Sequence, residues 1–216
     1  PHQTAHTSAL SGGTDPTSFH TSLEYTMQEG AVRKSDYDQY SLRAKFSHKI
    51  NRMFNVRLNM SGTHSRFSQV EDSDSSLKII RTAREEQPWY SPYNEDGSYK
   101  VNGEGQIIRH NPVMLVNEED WTIDKTQVVA NLGIDFTPFA GFKYAVTGNV
   151  YGILDQVKKK ISEKHDARKN HADWAALTQQ KDFSVRYVVD NMFSYDGAWN
   201  DLRYTALLGH SFEQYK

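Results

Sequence analysis

Phe54, Val56, Leu58 and Met60 alternate with Asn55, Arg57, Asn59 and Ser61, so an extended segment here has one apolar face and one polar face. The preceding segment repeats the pattern, with Tyr40, Leu42, Ala44 and Phe46 set against Ser41, Arg43, Lys45 and Ser47. Only a few residues separate the two, and the spacing predicts an antiparallel hairpin. The same unit recurs further along. Val128, Ala130, Leu132, Ile134 and Phe136 lead through a short turn into Phe142, Tyr144, Val146 and Val150. "YVVDNMFSY" leads through "DGAWN" into a closing strand with Leu202, Tyr204, Ala206, Leu208 and Phe212 on one parity. Near the start, a weaker strand around residues 4 to 11 passes into one carrying Phe19, Thr21, Leu23, Tyr25 and Met27 on one face.

The predicted fold is therefore all-β and antiparallel, with about eight strands in four hairpins over residues 4–28, 39–69, 121–156 and 183–216. The connections within hairpins are short. Those between hairpins, at 29–38, 70–120 and 157–182, are longer and charged, and the second far exceeds an ordinary loop. Short turns at one end and long loops at the other are expected of a transmembrane barrel with periplasmic turns and extracellular loops. Each strand also offers the roughly 9–11 residues that a tilted membrane strand needs.

Alternation alone says only that one face meets something apolar, and a soluble β-sandwich or lipocalin-like barrel satisfies it equally. Turn asymmetry favours the membrane barrel. So do aromatics near strand ends, such as Tyr25, Phe136, Phe142, Tyr187 and Tyr195, which suit an interfacial girdle. In that reading Phe54, Val56, Leu58 and Met60 face lipid.

Composition sharpens the picture. Hydrophobic residues make up only 37% of the 216 residues, yet aromatics reach 12%, which argues against a disordered chain of this polarity. With 25 basic and 27 acidic residues interspersed, there is no large basic field, so nucleic acid is not an expected partner. The absence of cysteine excludes a disulfide framework, a thiolate metal site and a cysteine nucleophile. No run approaches the ~20 apolar residues of a membrane helix, so any crossing is made by strands.

The stretch "SGGTDPTSFHTSLEYTMQEGAVRKSDYDQYSLRAKFSHKINRMFNVRLNMSGTHSR" resembles the start of the barrel in the SusC/RagA family of TonB-dependent outer-membrane transporters. "YSPYNEDGSY" is similar to an extracellular-loop segment of that family, and "LRYTALLGHSFEQYK" to one of its strands. The resemblance implies a wall segment of a barrel of about 22 strands in the bacterial outer membrane. It further implies a SusD-like surface lipoprotein as lid, TonB acting through a plug domain not in this chain, and oligosaccharides or peptides as substrates. On this reading the 216 residues are an internal piece of a longer chain. The alternatives are a soluble or surface-exposed β-domain that binds glycan and a small outer-membrane barrel of eight strands complete in itself.

The candidate chemistry points to binding rather than catalysis. His165 and His171 lie six residues apart, a spacing that fits no standard metal pair. The acidic stretches Glu71 to Ser76 and Asn94 to Tyr99 lack EF-hand spacing, and the second reads as a turn on Asp96-Gly97. Glu118, Glu119 and Asp120 form a charge run whose adjacency does not set the separation that sugar hydrolysis needs. No nucleophile elbow or phosphate-binding loop is present, so no metal, cofactor or enzymatic activity is expected. Trp89, Tyr90 and Tyr93 lie between and beside Pro88 and Pro92 in the longest loop, with Trp121 at its far end and Trp174 in another. Flat rings among polar residues suit sugar rings or peptide side chains, which makes these five the candidate ligand contacts.

Overall fold

The computed structural model describes residues 2–70, 79–86, 88–89, 91–100, 110–165 and 177–216. The described residues build one antiparallel sheet of eight strands in sequence order. These are β1 (Gln3–Gly13), β2 (Thr17–Glu29), β3 (Asp36–Lys49), β4 (Phe54–Gln69), β5 (Glu119–Phe136), β6 (Phe142–Ile161), β7 (Leu177–Trp199) and β8 (Leu202–Tyr215). Two seven-residue helices, α1 (Ile79–Glu85) and α2 (Pro112–Glu118), lie between β4 and β5. The sheet is open: β1 pairs with β2 alone and β8 with β7 alone.

The short turns are built from the residues that tight reversals require. Asn51 Oδ1 accepts from the backbone N–H of Met53 at 2.8 Å and of Phe54 at 2.9 Å, closing the β3–β4 turn. Trp199 pairs with Leu202, leaving a two-residue loop in which Asn200 takes a φ of 53°. Gly141 has a φ of 84°, and a Cβ there would sit 2.3 Å from the carbonyl oxygen of Asp196, so only glycine fits. At the opposite end the β2–β3 connection spans only residues 30–35, and the β6–β7 connection spans residues 162–176. Several strands therefore run further toward this end than hydrophobic alternation indicates, to Ile161 on β6 and back to Leu177 on β7.

Register carries the alternation across the sheet. Phe19, Phe46, Leu58, Leu132, Gly148, Val189 and Phe212 form one lateral row. Ala44, Met60, Ala130, Val150 and Tyr187 form the next, and Val56, Ile134 and Val146 share the same face. On β4 this band extends from Phe54 to His64 and gives way to Arg66; on β5 it extends from Phe136 to Thr126 and gives way to Asp124. Ten steps of about 3.3 Å, tilted by about 40°, span roughly 25 Å.

Both margins of the band are aromatic. At the short-turn end Phe54 stacks on Phe136 with centroids 4.6 Å apart, and Tyr144 on Phe193 at 4.4 Å. At the other end Tyr25 and Tyr40 meet at 4.8 Å. Polar residues on this face are engaged near the short-turn margin: the Thr17 hydroxyl lies 2.7 Å from His48 Nδ1, and Tyr144 donates to Asn191 Oδ1 at 2.7 Å.

Among the described residues no second layer covers the apolar face, and Leu23, Leu42, Met60, Leu132, Leu208 and Phe212 are all exposed. The buried apolar residues are few and lie mostly in the cap, where Ile79, Leu115 and Val116 pack with Val32 and Val70. A sandwich would bury these strands' apolar side chains under a facing sheet. Here the apolar surface is continuous and exposed, which a water-soluble monomer rarely tolerates.

Candidate ligand-facing surface and cap

The other parity of each strand builds a polar inner face. Asp135 on β5 accepts from Arg57 Nη2 at 2.9 Å and Asn55 Nδ2 at 3.3 Å, and Lys143 Nζ stands 3.4 Å away. Arg57 reaches Asp135 across Gly133, where an added Cβ would meet the guanidinium at 3.2 Å. Next to this group Asn131 donates to Asn149 at 2.6 Å, and Asn149 to Asp190 at 3.0 Å, while Ser211 donates to Asp190 at 2.6 Å. Arg186 pairs with Glu213 at 2.7 Å. Amides, hydroxyls and ion pairs linked across β4 to β8 thus present a wall rich in donors and acceptors.

Above the band the long connections fold into a cap. Asn111 opens α2: its Oδ1 accepts from Val113 N at 3.0 Å and Met114 N at 3.2 Å, with Pro112 at the first helical position. Its amide donates to the carbonyls of Pro92 at 2.6 Å and Lys100 at 3.1 Å, which fastens the 92–100 turn to the helix. Within that turn Gly97 has a φ of 80°, and Asp96 Oδ1 accepts from the Ser98 backbone at 2.9 Å and hydroxyl at 2.6 Å. The Ser98 hydroxyl and N–H hold the Asp96 carboxyl below its usual range. The acidic stretch Asn94 to Tyr99 is thus a self-closed turn on Asp96-Gly97.

Charged groups lock the cap to the sheet. Lys34, at a φ of 61° between β2 and β3, reaches the end of α2 and the start of β5. Tyr99 donates to Glu118 at 2.8 Å; hydrogen bonding from Ser162 and then Tyr99 holds the Glu118 carboxyl below the usual range, while burial raises the Tyr99 phenol. Glu119 is buried beside Lys159 at 3.2 Å and His165 at 3.8 Å. An apolar recess of about 240 Å³ lies between Val32, Ile79, Val113 and Val116.

The five candidate aromatics are not gathered into one platform. Trp89 lies on a turn and is 80% exposed. Tyr93 bridges to Tyr99, the rings stacked at 5.6 Å. Trp121 belongs to β5 and not to the loop; it lies on the inner parity, with Lys159 Nζ 4.9 Å from its ring centroid. Tyr90 and Trp174 lie outside the described residues. Sequence reasoning passed over Lys34, Asn111 and Lys159, and it weighed Glu119 and His165 separately, without the group they form. Of these only Asn111 carried a local signal, a capping residue directly before proline.

An open antiparallel sheet with one apolar and one polar face, short turns at one margin and a folded cap at the other is a segment of barrel wall. In sequence, the chain is 30% identical over 115 residues to TonB-dependent receptor P3 of Formosa agariphila, an alignment covering 51% of this chain and 11% of that protein. In structure, it superposes on the RagAB peptide importer in its closed-closed state with a TM-score of 0.78 at 20% identity, covering 99% of this chain and 24% of that one. The open-open state gives the same values, and the RagAB peptide transporter gives a TM-score of 0.77. No family model matches the chain. These comparisons show a chain similar over about half its length to a TonB-dependent receptor, with the fold of a barrel segment of a RagA-like protein. The chain spans about a tenth of the curated relative's length and about a quarter of the structural neighbours'.

Proposed function

We propose that this chain forms part of the wall and extracellular cap of an outer-membrane importer for oligosaccharides or peptides. The observation that carries the proposal is the apolar band: one uncovered face, bounded by aromatics, whose height matches a bilayer's hydrocarbon. Phe54, Val56, Leu58 and Met60 then meet lipid, and the polar ladder centred on Asp135 and Asp190 lines the interior. Trp89 and Tyr93, together with Tyr90, Trp121 and Trp174, are proposed ligand contacts at the extracellular mouth. The function is binding and passage, not chemistry, in keeping with relatives named as a receptor and as importers.

In this proposal a SusD-like surface lipoprotein closes over the cap, and TonB supplies energy through a plug carried elsewhere in the full-length protein. The test is uptake of fluorescent oligopeptides and oligosaccharides by cells with and without the gene, each with and without an uncoupler. Loss of one substrate class on deletion, reproduced by uncoupling, is expected. Unchanged uptake of both classes in the deletion strain would refute the proposal.

A further inference from the structure

Above the apolar band the outer face of the sheet is charged, and unevenly so. On β3 to β5, Arg66 places Nε and Nη2 on Asp124 at 2.7 and 3.3 Å, Asp38 accepts from Tyr25 at 2.9 Å, and Asp120 is held by Lys34 at 2.6 Å. On β6 and β7 the charge is of one sign. Leu154 and Phe183 form the last apolar pair, and Lys181 follows one row higher, opposite Gln156. Lys158 comes next, opposite Gln179 and Thr122, and then Lys160, opposite Leu177 and Asp120. All three lysines are exposed, and among the described residues none has an ion pair or a side-chain hydrogen bond. Asp120, the carboxylate opposite Lys160 in register, is already engaged by Lys34.

We infer that Lys158, Lys160 and Lys181 form a binding strip for a phosphorylated lipid headgroup of the outer leaflet. The parity of the strands puts the lysines on the same face as the band, so they look along the bilayer surface and not into the barrel. Their rows begin two residues above the last apolar pair and, at the same tilt, rise about 10 Å, within the zone that headgroups occupy outside the hydrocarbon. Three like charges on neighbouring positions repel one another, and an anion at the margin of a low-dielectric medium relieves that repulsion. Lysine ammonium groups on flexible stems suit phosphate as point charges, with the exposed Phe183 ring below to lie against the first acyl carbons.

This inference rests on the membrane reading, and the experiment separates the two. The full-length protein is placed in phosphatidylcholine nanodiscs that also contain a minor fraction of either bis-phosphorylated or dephosphorylated lipid A. It is then extracted, and retained lipid A is counted by native mass spectrometry. Retention of the phosphorylated form by the wild type should fall on the order of a hundredfold in affinity in the Lys158→Gln/Lys160→Gln/Lys181→Gln variant. A triple change on the inner parity, Arg43→Gln/Lys45→Gln/Lys49→Gln, should leave retention unaltered. Equal retention by wild type and outer-face variant, or of both lipid A forms by the wild type, would overturn the assignment and leave the strip to another occupant, such as an acidic protein surface. Failure of the wild type to enter any nanodisc would instead overturn the membrane reading.

Discussion

Lys34 Nζ stands 2.6 Å from Asp120 Oδ1, and the same ammonium donates to the carbonyl oxygens of Asn117 at 3.0 Å and Glu119 at 3.1 Å. One side chain thus ties the β2–β3 turn to the point where α2 ends and β5 begins. Both partners are partly solvated, so the ion pair contributes little, and the two carbonyl bonds supply most of an expected ~1–2 kcal/mol. In the full-length protein Lys34→Met should speed hydrogen exchange across residues 110–120 several-fold without altering exchange in β4 within the band. Uniform exchange across both regions would refute the anchoring role.

Leu58 and Asn59 are neighbours on opposite faces of β4. If the apolar face meets lipid, Leu58→Arg near mid-band should cost about 2–4 kcal/mol of insertion stability, and Asn59→Arg on the inner face much less. Urea-dependent folding into lipid vesicles measures both. Equal costs would mean that the faces are not solvated differently.

Ser98 and Ala140 mark the two ends of the strands, in the cap turn and in the β5–β6 turn. A cysteine at Ser98 should react with an impermeant thiol reagent on intact cells, and one at Ala140 only after the outer membrane is opened. The opposite pattern would invert the topology.

Glu118 is outside the band, and hydrogen bonds from Ser162 and Tyr99 lower its pKa in the folded state. A carboxyl with a lowered folded pKa stabilises fully above its unfolded value near 4.3, and that contribution is lost as pH falls through the folded pKa. Protease cleavage within residues 91–100 should therefore rise on acidification below about pH 4.3, and Glu118→Gln should remove that part of the pH dependence. A variant with an unchanged pH profile would show that Glu118 does not hold this region.

The outer edges of β1 and β8 lack strand partners among the described residues. In hydrocarbon each unpaired backbone group costs several kcal/mol, so these 216 residues expressed by themselves should aggregate or stay unfolded in detergent. A heat-modifiable monomer on a gel would demonstrate closure of β1 on β8 and a small self-contained barrel.

What the sequence determined by itself is the set of residues that share a face. Strand geometry has a period of two, and wherever one face meets an apolar medium that period is written into the residues, as at Phe54 to Met60 and Leu202 to Leu208. The short turns that contain Asn51, Gly141 and Asn200 were legible as the breaks between alternating runs, and the structure shows which residue makes each reversal. Only the tertiary structure decided that β4 and β5 pair directly across the intervening cap, and that the strands continue through Lys158, Lys160 and Lys181 above the band. There the outer parity turns from apolar to charged, the apolar residues that remain on β5 and β6, Trp121, Ile123, Val157 and Ile161, lie on the opposite parity, and register is inherited from the backbone ladder below. The grip of Lys34 on Asp120, and the burial of Glu119 beside Lys159 and His165, depend on contacts between residues distant in the chain. No local pattern records such contacts, because the physical force that makes them acts only after the sheet has brought those residues together.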